Sequence, residues 1–86
     1  MDETTVPHRK RIVGTKQVTR ALEAGAVETV WLAEDADERI RSVIEYLCHR
    51  QGIVPVAVKT MKELGENCRI TVGAAVAAEL KDNEFR

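Results

Sequence analysis

Apolar positions along this chain change from a helical spacing to a strand-like run and back. The segment Thr15–Ala24 carries its apolar side chains on one face, which predicts an amphipathic helix. Gly25 follows at the position where a left-handed cap is favoured, so we expect the helix to end there. The β-branched and apolar run Thr29–Ala33 then predicts a buried strand that leads into an acidic turn.

A second helical pattern follows the acidic turn, and a second strand follows that helix. Asp35 and Asp37 are both candidate N-caps, and Gly52 is expected to stop the helix. Ile53–Val58 predicts a strand, and Pro55 favours an edge position or a strand start because proline donates no ladder hydrogen bond. The residues predicted to form the buried face of the helix are Ile40, Val43, Ile44, Leu47 and Cys48.

The C-terminal third has shorter and less regular patterns. A short helix is predicted around Met61–Leu64 and ends at Gly65. The polar residues 66–69 predict a loop before the strand-like run Ile70–Val72. The alanines of Ala74–Leu80 favour a helix, whereas its brevity and its position after a strand-like run allow a strand. Strands that alternate with helices in so short a chain indicate an α/β sandwich, one sheet with helices on both faces.

Length and composition are those of one small soluble domain. The 86 residues are 44% hydrophobic and 31% charged, which allows a single core and no second one. We expect a flexible arm over residues 1–10, the domain over residues 11–81 and a tail over residues 82–86. The acidic start Met1–Glu3 is unlike a signal peptide, and no apolar run approaches the roughly 18 residues that span a bilayer. These features predict a cytoplasmic protein without membrane contact.

The charges are unevenly distributed, although the formal net charge is only -1. Residues 8–20 contain five cations and no carboxylate, whereas residues 34–38 and the C-terminal tail are acidic. The five cations are Arg9, Lys10, Arg11, Lys16 and Arg20. A nucleic-acid function would therefore depend on a local basic surface and not on overall charge.

The segment Gly14–Arg20 has the features of a helix start that binds RNA. Glycine permits a tight turn and close approach of a ligand, and the first helical N–H groups have no partner within the helix. Such an end attracts phosphates or base acceptors, and Lys16 and Arg20 share its outward side. Gln17 can both donate to and accept from a guanine edge, which a helix end reaches only where a bend opens the RNA groove. By itself, the same pattern also fits an ordinary solvated helix face.

Three blocks of the chain resemble, in order and spacing, the family of the archaeal ribosomal protein L7Ae and its small bacterial relatives. The blocks are Gly14–Arg20, Trp31–Asp37 and the segment from Leu64-Gly65 to Val72-Gly73-Ala74-Ala75. Proteins of this family bind kink-turns, sharply bent RNA internal loops with tandem sheared G·A pairs. The resemblance covers residues 11 to 80 and implies a three-layer α-β-α sandwich with a four-stranded mixed sheet, in which Ala74–Leu80 is a strand. The pair Lys16-Gln17 resembles the pair that the bacterial members of the family have at these positions.

The resemblance also implies a binding site. The positions matched by Lys16, Gln17 and Arg20 face the guanines and nearby phosphates, and the loop matched by Leu64–Val72 covers flipped and stacked nucleotides. The predicted RNA-binding residues are Gly14, Thr15, Lys16, Gln17, Arg20, Asp37, Lys62, Arg69, Ile70, Thr71 and Val72.

The loop after Leu64 departs from the family pattern at two positions. Glu66 places an anion where the family usually has a cation, and Arg69 stands in place of a glycine, so we expect a lower affinity than in typical members. Two apolar residues of this loop, Ile70 and Val72, either support extruded bases or are buried as in an ordinary strand.

Enzymatic alternatives have little support in the sequence. Cys48 and His49 are adjacent on a predicted helix, so their side chains point about 100° apart and cannot form a nucleophile–base pair. Cys48 and Cys68 lie far apart, outside any CxxC motif, and are expected to be buried thiols. We therefore predict no catalytic residue, no metal and no cofactor.

The expected partner is a structured RNA with a kink-turn, in ribosomal RNA or in a riboswitch, bound by a monomer. Stacking of single strands is disfavoured because the three aromatic residues lie outside the predicted site, and Trp31 is expected in the core. A protein-interaction module on the same fold, without specific RNA binding, is the alternative. The presence of Lys16, Gln17 and Arg20 favours RNA.

Overall fold

The computed structural model describes residues 10–70 and 72–81. Within this part of the chain, four strands and three helices alternate. In chain order they are β1 (Arg11–Val13), α1 (Thr15–Glu23), β2 (Val27–Ala33), α2 (Glu38–Gln51), β3 (Val56–Val58), α3 (Met61–Asn67) and β4 (Val76–Leu80). The strands form one sheet in the order β1-β4-β2-β3, with β2 and β3 parallel and β4 antiparallel to both β1 and β2.

The core has two halves, one on each face of the sheet, because side chains alternate across each strand. Val30 and Leu32 of β2 pack with Leu22 of α1 and Ile44 of α2 on one face. On the opposite face, Ala33 packs in the cluster that contains Leu64 of α3. The predicted three-layer α-β-α sandwich with a four-stranded mixed sheet is therefore confirmed.

The first predicted helix and strand are both present. α1 covers nearly the predicted segment, and Gly25 after it has the expected left-handed backbone, with a φ of 69°. β2 begins at Val27, two residues before the predicted start, because the exposed Glu28 interrupts an apolar run that in fact starts earlier. The pairing of β2 with β4 shifts register between Val27 and Thr29, and this bulge keeps Val27 in the core.

The two candidate caps of α2 have different roles. Asp37 is the N-cap: its side chain accepts a hydrogen bond from Arg39 N at 2.8 Å. Asp35 instead accepts from Met61 N at 2.8 Å and so connects the start of α2 to the start of α3. Gly52 ends α2 with a left-handed φ of 73°, as expected.

The buried side of α2 is narrower than predicted. Ile44 and Cys48 are fully buried, and Ile40 and Leu47 are half-buried. The prediction that Val43 is buried is wrong, since 48% of this residue is exposed. A step of one residue turns the side chain by about 100°, which places Val43 at the margin of the face that Ile44 directs into the core.

β3 and α3 differ from the prediction at their boundaries. β3 begins directly after Pro55 and lies at the edge of the sheet, in agreement with the proline argument. The prediction that α3 ends at Gly65 is wrong, because the helix continues to Asn67 and the first half of the predicted loop 66–69 is helical. A glycine is needed at position 65, inside the helix, because the Val72 carbonyl oxygen occupies the space that a side chain would fill.

The strand that completes the sheet is β1, which the sequence pattern did not reveal. The strand-like interpretation of Ile70–Val72 is wrong for Ile70 and Val72, neither of which is in a strand, and Thr71 lies outside the described residues. The strand alternative for Ala74–Leu80 is confirmed by β4.

Lys10 belongs to the described part of the chain, whereas the rest of the predicted arm and the tail 82–86 lie outside it. Cys48 is buried as predicted, but Cys68 is only half-buried. Among the described residues, no helix is both long enough and apolar enough to cross a membrane.

Candidate nucleic-acid interface

All three helices begin at the same end of the sheet, where β1, β2 and β3 end. β1 and β2 are both antiparallel to β4, and β3 is parallel to β2, so the C-terminal ends of β1, β2 and β3 lie together. Each of these strands leads into a helix through a short connection. We call this surface the shared edge; the name refers to the common end of the strands and not to an outer strand of the sheet. It comprises residues 14–17, 34–38, 59–62 and 72–75.

The segment 72–76, which ends in the first residue of β4, connects the parts of the shared edge. Its backbone is hydrogen-bonded to the chain at the start of α1, at the end of β2 and at the start of α3. These bonds run from Gly14 N to Val76 O (3.0 Å), from Ala33 N to Ala75 O (2.9 Å) and from Ala74 N to Met61 O (3.0 Å). Parts of the three blocks that the sequence singles out, residues 14–17, 34–37 and 72–75, therefore meet at one surface.

The start of α1 differs from the starts of α2 and α3. Asp37 caps α2, and the Thr60 hydroxyl caps α3 by accepting from Glu63 N at 3.0 Å. Gly14 precedes α1 with a φ of 113° and has no side chain that could accept a hydrogen bond. This cap residue leaves the first N–H groups of α1 to an external acceptor, and the helix dipole favours an anionic one.

The predicted RNA-reading side chains of α1 project into solvent. Lys16, Gln17 and Arg20 are exposed, whereas Val18 and Leu22 are fully buried and anchor the helix. Lys16 and Arg20 lie one turn apart on the same side, and like charges at this spacing cost about 0.2–0.5 kcal/mol. A bound anion would remove this repulsion.

The structure brings Asp37 close to the start of α1. A shallow groove between the starts of α1 and α2 is lined by Thr15, Asp37, Arg39, Ile40 and Val43. Arg39 Nε lies 3.7 Å from a carboxylate oxygen of Asp37, and the exposure of both side chains makes this pair of little value for stability. Arg39 was not among the predicted residues, and its only sequence signal is a cation two positions after the cap.

The two apolar residues of the predicted loop lie in different environments. Val72 is 69% exposed, so the alternative that it is buried as in a strand is wrong. Gly73, the next residue, packs closely against Met61, which is itself 37% exposed. Ile70 is half-buried against the core on the α3 face. Val72 therefore offers apolar surface at the shared edge, and Ile70 contributes mainly to packing.

The charged residues of α3 and the turn after it are spread along the helix. Lys62 is exposed in the first turn, at the shared edge, and Glu66 is exposed one turn further on. Arg69 has a left-handed φ of 64° and follows the far end of α3, about 10 Å from the shared edge by the length of the helix. The structure therefore does not place Arg69 beside the start of α1.

Arg11 lies apart from Lys16 and Arg20, although all three belong to the described part of the basic stretch 8–20. The Arg11 guanidinium lies 4.9 Å from the centroid of the Trp31 ring and donates a hydrogen bond to the Asn67 carbonyl at 3.4 Å. These contacts are at the start of β1, away from the shared edge, so Arg11 helps to hold α3 on the sheet. Trp31 is half-buried against the core on this face, and the expectation of a core residue is met only in part.

The described residues contain no grouping typical of a metal centre, since no three His, Cys, Asp or Glu side chains among them are placed to hold an ion. Burial, and secondarily the Glu45 carboxylate, raises the pKa of the Cys48 thiol. A raised pKa disfavours the thiolate that a nucleophile requires.

Comparisons with known proteins agree with this description. The family model described as the ribosomal protein L7Ae/L30e/S12e/Gadd45 family matches residues 2–86. An RNA-binding protein of Caldanaerobacter subterraneus is 45% identical over 71 residues, which cover 83% of this chain and 87% of that protein. RNA-binding protein YbxF of Geobacillus stearothermophilus is 40% identical over 72 residues, 84% of this chain and 88% of that protein.

A solved structure supports the fold. A protein with unknown function from Bacillus halodurans superimposes with a TM-score of 0.74 at 22% identity, over 86% of this chain and 72% of that one. Both relatives named above are described as RNA-binding proteins and not as enzymes, which agrees with the expectation of a non-enzymatic protein. From the extent of the family match and the identity to these relatives, the chain belongs to the ribosomal protein L7Ae/L30e/S12e/Gadd45 family.

Proposed function

We propose that this protein binds structured RNA at the shared edge and recognises a kink-turn, an internal loop with sheared G·A pairs. The observation that carries the proposal is the start of α1, where a glycine cap leaves the N–H groups open beside the exposed Lys16, Gln17 and Arg20. Membership of the family and the names of two similar bacterial proteins support RNA as the partner.

In this proposal Gln17 reads a guanine edge. A regular RNA helix hides its base edges in a deep, narrow groove, and a sharply bent internal loop opens that groove to a helix end. The Gln17 amide supplies one acceptor and two donors from the first turn of α1. Lys16 and Arg20 bind the phosphates beside this guanine, and Arg20 can do so with two parallel hydrogen bonds.

The other parts of the shared edge complete the contact. Lys62 binds a phosphate at the start of α3, and the exposed Val72 supports an extruded base. Asp37 has acceptor capacity beyond its bond to Arg39 N, so it can accept from a ribose hydroxyl or a base amino group. Arg69 contributes only if the RNA extends along α3.

The decisive experiment compares one kink-turn duplex with the same duplex after its G·A pairs are changed to Watson–Crick pairs. We expect the kink-turn to bind about tenfold more tightly or better, because each specific base contact is worth about 1–3 kcal/mol. Equal affinity for the two duplexes would refute kink-turn recognition. Failure to bind either RNA would favour the alternative, a protein-interaction module on the same fold.

The proposal places the protein in the cytoplasm as a monomer, on a kink-turn of ribosomal RNA or of a riboswitch. The ribosomal proteins that give the family its name support a ribosome-associated role. Sedimentation of the free protein checks the monomer, and sequencing of the RNA that copurifies with it distinguishes ribosomal RNA from riboswitches.

A further inference from the structure

α2 carries an exposed stripe of basic and apolar side chains that the contacts proposed above do not explain. The stripe consists of Arg39, Val43, Tyr46 and Arg50, whose spacings of four, three and four residues place them on one side of the helix. Val43 is 48% exposed and Tyr46 is 60% exposed. The Arg50 guanidinium lies 5.9 Å from the centroid of the Tyr46 ring, so a cation covers part of the aromatic surface.

The stripe is positively charged, although the whole chain has a formal net charge of -1. The carboxylates of α2 belong to Glu38 and Glu45, which point about 80° or more around the helix axis from every residue of the stripe. Asp37, in front of α2, lies 3.7 Å from Arg39 and partly neutralises that end. The positive charge is therefore strongest towards Arg50.

The stripe is continuous with the shared edge. Arg39 and Val43 line the groove that also contains Thr15 and Asp37. From Arg39 to Arg50 the stripe extends about 16 Å along α2. An RNA that is bound at the start of α1 and leaves on the side of this groove would pass along the stripe.

We propose that this stripe binds the phosphate backbone of a helical arm of the RNA next to the bend. Arg39 and Arg50 contact phosphates at its two ends, and the Tyr46 hydroxyl donates to a phosphate oxygen between them. The inference rests on the proposed function, because the shared edge must first hold the bend. A phosphate backbone fits better than a protein partner because the stripe ends in two guanidinium groups and continues a groove at the start of α1, where we propose that RNA binds.

The test uses one kink-turn RNA in two forms, with short arms and with extended arms. The unmodified protein should bind the extended form more tightly. Arg50→Gln should bind the extended form about fivefold or more weakly and should lower the slope of log K against log salt by about one unit, as expected for one lost phosphate contact. Its affinity for the short form should not change.

A matched variant controls for charge alone. Lys81→Gln removes an exposed cation directly after β4, at the end of the sheet opposite to the shared edge. This variant should bind both forms like the unmodified protein. Tyr46→Ala should weaken only the extended form. Thermal unfolding should be nearly unchanged in all three variants, because the replaced side chains are exposed.

Each result distinguishes the inference from the function on which it rests. If Arg50→Gln binds the extended form as tightly as the unmodified protein does, the stripe does not contact RNA, while the preference for G·A pairs can still stand. That result is also the one expected of a surface for an acidic protein partner. An equal loss on short and extended forms would likewise overturn the inference, and failure of the unmodified protein to bind either form would overturn both proposals.

Discussion

Replacement of Gly65 by alanine tests how α3 positions the segment before β4. In an exposed helix interior, alanine is more stable than glycine by about 1 kcal/mol. Gly65 is buried, however, and a Cβ added there would overlap the Val72 carbonyl oxygen and come within 3.1 Å of Gly73 Cα. Both neighbours are backbone atoms, so they cannot rotate away as the end of a flexible side chain would.

The size of the effect follows from these two opposing terms. Inserting a methyl group into well-packed surroundings costs about 1–3 kcal/mol. Because the added Cβ would overlap backbone atoms, the upper end of this range applies. After subtracting the helix preference of about 1 kcal/mol, we expect Gly65→Ala to lower the free energy of unfolding by about 2 kcal/mol. Any relaxation moves Val72 away from α3, so binding of the kink-turn should weaken as well.

Urea unfolding followed by Trp31 fluorescence measures this change, because Trp31 packs against the core on the α3 face. Asn67→Ala is the matched control in the same helix, since its side chain is exposed and its carbonyl still accepts from Arg11. The control should unfold at nearly the same urea concentration as the unmodified protein. If Gly65→Ala proves as stable as the unmodified protein or more so, the close packing of α3 against the Val72 segment is refuted.

Three further predictions concern the site and the core. Gln17→Ala should weaken kink-turn binding by about 1–3 kcal/mol and binding of the Watson–Crick duplex much less; equal losses in titrations of both RNAs would show that Gln17 does not read the G·A pairs. Asp37→Ala should lower the free energy of unfolding by about 1 kcal/mol because Arg39 N loses its acceptor, and Asp37→Asn, which keeps an acceptor, should lose less in the same urea measurement. Burial raises the pKa of the Cys48 thiol, so this thiol ionises at lower pH in the unfolded chain than in the folded one. The contribution of the buried thiol to the free energy of unfolding should therefore be fully present below the ordinary thiol pKa and should be lost as pH rises through the raised pKa. Urea unfolding from neutral to alkaline pH should show this decline, which Cys48→Ala should abolish.

The elements that could be predicted from the sequence are those whose signals are local. α1 and α2 have apolar side chains at helical spacing, and each ends at a glycine with a left-handed backbone, Gly25 and Gly52. β1 has no comparable signal. It is only three residues long and half-exposed, so its strand conformation depends on pairing with β4, whose paired residues follow 64 to 68 positions later in the chain.

The errors in and after α3 have one physical origin. Gly65 resembles a helix stop in the sequence, but the structure needs its missing side chain for a close approach by Val72 and not for a left-handed turn. The residue that does turn left-handed after α3 is Arg69, which the sequence gives no reason to expect. Requirements set by a neighbour that is distant in sequence leave no local pattern to read.

The sequence suggests the residues of the candidate site one by one, but not how they are arranged. The sequence identifies Lys16 and Gln17 from a helix start, yet the placement of that start at the same end of the sheet as Asp37 and Lys62 depends on strand direction. Because β1, β2 and β3 all run the same way, three helix starts lie together. The sequence alone left that direction undetermined.

The same arrangement explains how the proposed RNA site can lie beside the acidic turn 34–38. Asp37 accepts from Arg39 N at the start of α2, and Asp35 accepts from Met61 N at the start of α3. The positive end of a helix dipole, equivalent to roughly half an elementary charge, offsets part of each carboxylate charge. At α1 the cap is Gly14 and brings no negative charge, so the positive end of this helix remains open to phosphate. The acidic residues thus stabilise two helix starts, while the third, next to Lys16 and Gln17, is left to the ligand.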